Sequence, residues 1–172
     1  MPTRFVRSQA WFLYLDEPQK RLVDLAEELW HREKLLKSQL SDYGFVVFPM
    51  AKAYEGFLKK FLYDMNLISQ TEFESKHFRI GRALNPNLKD YLQDEKWVYD
   101  DVARVCGPKL AQDLWQTWTE CRNRLFHYYY QGRKQEDVSG VSLDEAGKRL
   151  DQLALAMQRA VSCKFRIKED RR

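Results

Sequence analysis

Glycine and proline are scarce in this chain of 172 residues, at 7 and 5, and no segment repeats or collapses into low complexity. With abundant aromatics, that scarcity excludes a disordered chain. No glycine-rich phosphate loop is present, which sets aside the nucleotide-binding classes built on one. The three cysteines, Cys106, Cys121 and Cys163, form neither a C-x-x-C pair nor any other metal-ligand spacing. Free thiols in a reducing, cytoplasmic compartment are therefore expected, with no metal site and no cofactor. No stretch approaches the roughly 20 apolar residues of a membrane span, and Met1-Pro2-Thr3-Arg4 does not open an apolar leader. A soluble protein without a membrane partner is expected. Charge of one sign is also lacking: 29 basic against 25 acidic side chains leave +4, which permits an anionic partner without demanding one.

What the chain does have is aromatic mass, 10 Phe, 9 Tyr and 5 Trp, and helical spacing. The length fits one domain over 1–172, with an N-terminal extension at 1–15 and a charged tail at 164–172. Phe5, Val6, Trp11, Phe12 and Tyr14 read either as a short strand or as an aromatic lid. Asp16 and Pro18 mark a helix start, after which Leu22, Leu25, Ala26, Leu29, Trp30 and Leu36 recur at helical spacing to about Leu40. His31, with no second histidine at ligand spacing, reads as a surface or packing residue. Pro49 reads as the opening of a second helix whose buried face holds Ala53, Phe57, Leu58, Phe61 and Leu62. Ser69-Gln70-Thr71-Glu72 and Ser142-Leu143-Asp144-Glu145 are capping-box patterns. The first opens a short helix toward Phe78. The second opens a last helix with Leu150, Leu153, Ala154, Met157 and Val161 on one face. Cys163-Lys164-Phe165-Arg166-Ile167-Lys168 is expected as a terminal strand.

Gly107-Pro108 stops one segment and starts a helix whose core stripe is Leu110, Leu114, Trp118, Cys121 and Leu125, expected to run to Gly132. Its C-terminal end carries Arg122-Asn123-Arg124-Leu125-Phe126-His127, an R-N-x-x-x-H element. Arginine is always charged and presents a planar fork of donors to phosphate oxygens, and histidine exchanges protons near neutral pH. Together they suit a phosphodiester and a ribose hydroxyl. On a straight α-helix a five-residue step at roughly 100° per residue sets Arg122 and His127 about 140° apart. Asn123 and His127 are i, i+4 neighbours. The spacing therefore fits a composite site better than an isolated one. Arg79 and Arg82 read as extensions of a phosphate-binding surface or as solvated charge. Tyr128, Tyr129 and Tyr130 must expose at least one ring, for a base or for a dimer interface.

Ala53-Tyr54-Glu55-Gly56-Phe57-Leu58-Lys59-Lys60-Phe61-Leu62, then Phe78-Arg79-Ile80-Gly81, Leu114-Trp115, Trp118 and the Arg122 to His127 element resemble a HEPN domain, and most of all the RNase LS-like branch of that superfamily. The resemblance covers about residues 45 to 163. It implies an all-α helical bundle that dimerises with its motifs facing, and a metal-independent endoribonuclease of a toxin-antitoxin or phage-defence type, restrained by an antitoxin or inhibitor protein. Under it Arg122 and His127 carry cleavage, Asn123 supports them and Glu55 stands near the site; from spacing alone Glu55 reads equally as the i, i+4 partner of Lys59. Arg79, Arg82, Arg124, Tyr128 and Tyr129 would bind RNA. The N-terminal domains of RNase LS-type toxins have no counterpart here. Two alternatives stand beside the enzyme: a non-catalytic HEPN domain binding RNA or a partner protein through the same cleft, and a helical dimerisation module.

Overall fold

The computed structural model describes residues 4–127 and 140–170, the last three without side chains, and among the described residues it is all-α, with no strand. The elements are α1 (Ala10–Tyr14), α2 (Glu17–Leu36), α3 (Gly44–Asp64), α4 (Gln70–Glu74), α5 (Ile80–Ala83), α6 (Tyr99–Cys106), α7 (Pro108–Trp118), a π turn (Thr119–Asn123), α8 (Arg124–Phe126) and α9 (Leu143–Asp170).

The core forms around α3 because that helix is apolar almost all round. Val46, Val47, Met50, Tyr54, Phe57, Leu58, Phe61 and Leu62 are all at 0% exposure, each worth about 1.5–3 kcal/mol relative to an exposed position. Helices α2 and α9 pack against α3 and against each other. From α9 the expected stripe Leu150, Leu153, Ala154, Met157 and Val161 packs inward. Tyr54 is wholly buried and satisfies its hydroxyl by donating to the Leu114 carbonyl at 3.1 Å, which ties α3 to α7. The helix starts read from the sequence hold where a cap specifies them. Asp16 and Gln19 form a capping box at α2, Ser69 and Glu72 one at α4, and Ser142 exchanges bonds with Glu145 before α9.

Several expectations are corrected. Residues 5–15 hold a helical turn rather than a strand: Phe5, Trp11, Phe12 and Leu15 are buried, with Trp11 edge-on to Phe5 and Phe12. Helix α2 ends at Leu36, where Lys37 turns left-handed at φ 48°. Its inner face holds Val23, Ala26, Glu27 and Glu33, while Leu25 and Leu36 are exposed. Two carboxylates thus occupy positions a hydrophobicity pattern assigns to leucines; Glu27 is held by Arg7 and the Phe5 amide, Glu33 by Ser38 and Arg32. Helix α3 begins at Gly44, so Pro49 lies inside it. So near the N-terminus a proline removes one hydrogen bond, and the surrounding apolar contacts outweigh that loss. Helix α4 stops at Glu74, well short of Phe78.

The expected terminal strand at residues 163–168 is the end of α9. Cys163 and Lys164 are buried, Ile167 packs on the core and Phe165 is exposed, a helical period disguised as alternation by a lysine in a buried slot. Nor are all three cysteines free. Cys106 at the end of α6 is bonded to Cys163 of α9, 57 residues away, and only Cys121 remains a thiol. No described helix is long and apolar enough to cross a membrane.

Candidate active site

The motif does not lie on a continuous α-helix. After Trp118 the backbone widens into the π turn, and the Arg124 amide donates to the Thr119 carbonyl five residues back. Packing against α9 holds this widening in place. The Glu120 carbonyl accepts from Arg149 Nη1 at 3.3 Å and its carboxylate from Gln152 Nε2 at 2.8 Å. Cys121 is fully buried, with Sγ 3.4 Å from Gln152 Oε1. Burial pushes the Cys121 thiol up to about 12, so it packs and donates and has little thiolate to offer as a nucleophile. Single π turns recur at functional sites because they reset the side chains that follow.

Here the reset carries Arg122 toward α3. Its Nε donates to Glu55 Oε2 at 3.1 Å, and its guanidinium sits 5.4 Å from the Trp118 ring centroid. Glu55 does not pair with Lys59, which donates to the Ser75 carbonyl at 2.7 Å. Trp118 has a tight neighbour behind it, since a Cβ added at Gly81 would lie 2.3 Å from Trp118 Cη2. The bare backbone of Gly81 in α5 therefore lets the indole sit where it supports Arg122. Among the described residues Nε is the only Arg122 nitrogen that donates a hydrogen bond, so the two terminal nitrogens can meet an incoming anion.

Asn123 closes the π turn and His127 caps α8, turning the chain out of the helix with φ −114° and ψ 128°. The helix therefore stops at Phe126 rather than Gly132. His127 is exposed and Asn123 half-buried. Phe126 meets Phe48 of α3 edge-on at 5.0 Å, and Phe48 is 51% exposed. Phe45, Phe48, Lys52 and Glu55 follow one another along the outer face of α3, so the ion pair adjoins exposed aromatic surface.

The remaining site candidates divide. Arg82 gives Nη2 to Asp94 and the Leu92 carbonyl, both at 2.9 Å. Arg79 precedes α5, exposed, and among the described residues its side chain reaches only the Lys76 carbonyl, at 3.5 Å. Arg124 is exposed and makes no ion pair among the described residues; it points to the other side of the turn, where it lines a cleft of about 420 Å³ with Tyr99 and Trp115. Tyr128 and Tyr129 lie outside the described residues. Sequence reasoning took Trp118 as core alone and missed its second role under Arg122; the signal was Gly81, which removes the side chain that would displace the ring. No group of His, Cys, Asp and Glu among the described residues could hold a metal ion. No family model, curated protein or solved structure matches the chain.

Proposed function

We propose that this protein is an endoribonuclease of a toxin-antitoxin or phage-defence type, working as a HEPN-type homodimer. The observation that carries the proposal is the state of Arg122. Its Nε is fixed by Glu55, its plane is supported by Trp118, and its outer donors remain for a ligand. A guanidinium held this way suits a doubly anionic phosphorane, because the two parallel N–H bonds are already oriented when charge develops. In the proposed reaction the RNA's own 2′-hydroxyl attacks the adjacent phosphorus. His127 takes the hydroxyl proton or returns one to the leaving 5′-oxygen. Arg122 stabilises the phosphorane, Glu55 positions Arg122, and Asn123 supports the turn between them. The products are a 2′,3′-cyclic phosphate and a 5′-hydroxyl.

The exposed rings of Phe45 and Phe48 beside this pair supply a face on which a second copy brings its own motif alongside. A separate antitoxin or inhibitor would cover the same ground. The decisive experiment is cleavage of labelled single-stranded RNA in EDTA by the wild type, His127→Ala and Arg122→Ala, with the product ends analysed. Cleavage by the wild type alone, leaving cyclic phosphate, is expected. Equal cleavage by all three overturns the assignment. RNA binding without cleavage by any of them moves the protein to a non-catalytic RNA-binding role.

A further inference from the structure

A cleft of about 420 Å³ opens beside the motif, walled by Tyr99 of α6 and by Gln112, Trp115, Gln116, Thr119, Glu120 and Arg124. Both rings are braced from behind. Trp115 stacks on Trp118 with centroids 5.6 Å apart and planes within 15°, and Tyr99 stacks on Trp97 at 6.5 Å. Trp97 is fixed in turn, its Nε1 donating to the Asn85 carbonyl at 2.8 Å. Rings held this way form a rigid platform that loses little freedom when a planar ligand stacks on it.

The Glu120 carboxylate in the wall is taken up by the side-chain amides of Gln116 and Gln152, and the remaining polar groups around the platform are of two kinds. Arg124 is exposed and makes no ion pair among the described residues, so its guanidinium can meet a phosphate. The others suit the edge of a heterocycle. Gln112 is an exposed amide, and Gln116 gives its Nε2 to Glu120 at 2.9 Å, which leaves its carbonyl oxygen as an acceptor. An aromatic platform, amide groups and one cation together match a nucleotide.

We propose that this cleft is a nucleotide subsite, which stacks a base on Trp115 and Tyr99 and holds its phosphate on Arg124. The inference rests on the ribonuclease reading only for the source of the nucleotide, a residue of the bound RNA flanking the bond that is cut. The stack Trp115–Trp118 with Arg122 over Trp118 joins the cleft to the cleavage site, so one strand can reach both.

The test titrates the full chain with AMP, GMP, CMP and UMP, and with ribose 5-phosphate as a probe that lacks a base, by calorimetry. At least one nucleotide should bind tenfold or more tighter than ribose 5-phosphate. Arg124→Gln, an exposed substitution, should weaken that binding about tenfold, Trp115→Leu should weaken it further, and Arg122→Ala should leave it unchanged. On RNA, Arg124→Gln should raise KM with kcat retained. Binding no tighter than that of ribose 5-phosphate overturns the proposal, as does indifference to Arg124→Gln. Loss of nucleotide binding in Arg122→Ala instead would put the nucleotide at the motif and also overturn it. Nucleotide binding that follows Arg124, in a protein that cuts no RNA, sustains the cleft while removing the catalytic reading.

Discussion

Helix α3 carries Glu55 near its middle and Asp64 at its C-terminal end, and the two carboxylates are used in opposite ways. At its C-terminal end Asp64 is saturated: it accepts from Tyr14 at 2.6 Å, from Lys60 at 2.8 Å and from Lys164, which is 7% exposed. Both lysines also lie over the Tyr14 ring, at 3.9 and 4.4 Å. One carboxylate thereby joins the N-terminal segment, α3 and the end of α9, next to the disulfide between Cys106 and Cys163. Near the middle of the helix Glu55 has one partner among the described residues, Arg122, through one nitrogen, and both side chains are partly exposed. Saturated, and built on a buried lysine, the first cluster fastens the fold. Singly bonded and open, the second has donors left for a ligand. The lesson is that an acid–base pair becomes a candidate site through what its members leave unused.

That contrast can be broken by measurement. Asp64→Ala removes the carboxylate that Tyr14, Lys60 and the buried Lys164 share, and unfolding in urea should show a loss of about 3 kcal/mol. A change below 1 kcal/mol would mean that the cluster is not a fastening. Gly81→Ala drives a methyl group into Trp118 in a packed region, and about 2 kcal/mol of stability should be lost; RNA cleavage should fall with it, because the indole supports Arg122. Retained melting temperature together with retained cleavage would remove Trp118 from the site.

The third test is acid. Burial by itself would raise the Asp64 carboxyl, but hydrogen bonds from Lys164, Lys60 and Tyr14 outweigh it and hold the group at about 2 against an ordinary 3.8. Because the folded value is the lower one, the stabilisation is complete above the unfolded value and fades as pH falls from about 4 through about 2. After allowance for solvent screening it amounts to about 1–2 kcal/mol. Stability curves of the wild type and Asp64→Asn should therefore converge below pH 2; parallel curves across that range would contradict the assignment. The smallest effect on stability belongs to the open pair. Glu55→Gln should cost less than about 1 kcal/mol while lowering RNA cleavage at least tenfold. Should it destabilise the chain as much as Asp64→Ala, the two carboxylates of α3 would not differ in kind.

Where a local rule specifies an element, the sequence was legible. Capping residues place the starts of α2, α4 and α9, and Gly107-Pro108 separates α6 from α7. The inner stripe of α9 follows from period alone. Two of the errors share a cause, which is a polar residue occupying a buried position. Glu27 and Lys164 fill inward positions and are satisfied by partners distant in sequence, and Glu33 fills another, so α2 reads as a helix but with the wrong inner face, and the end of α9 does not read as the helix it is.

The candidate site divides along the same line. Its cation and its histidine stand in a short readable element, and Glu55 is placed nearby by resemblance and not by spacing. Composition and periodicity by themselves determined a helix-rich chain, the position of the longest helices and the face by which α9 packs, because those depend on neighbours within one or two turns. Tertiary structure alone decided the rest. It chose Arg122 over Lys59 as the partner of Glu55, set a π turn inside the motif, paired two cysteines 57 residues apart, and assigned Arg122 and Arg124 to different sides of one turn. Each of those depends on a contact across the bundle, and a contact of that kind leaves no period in the chain.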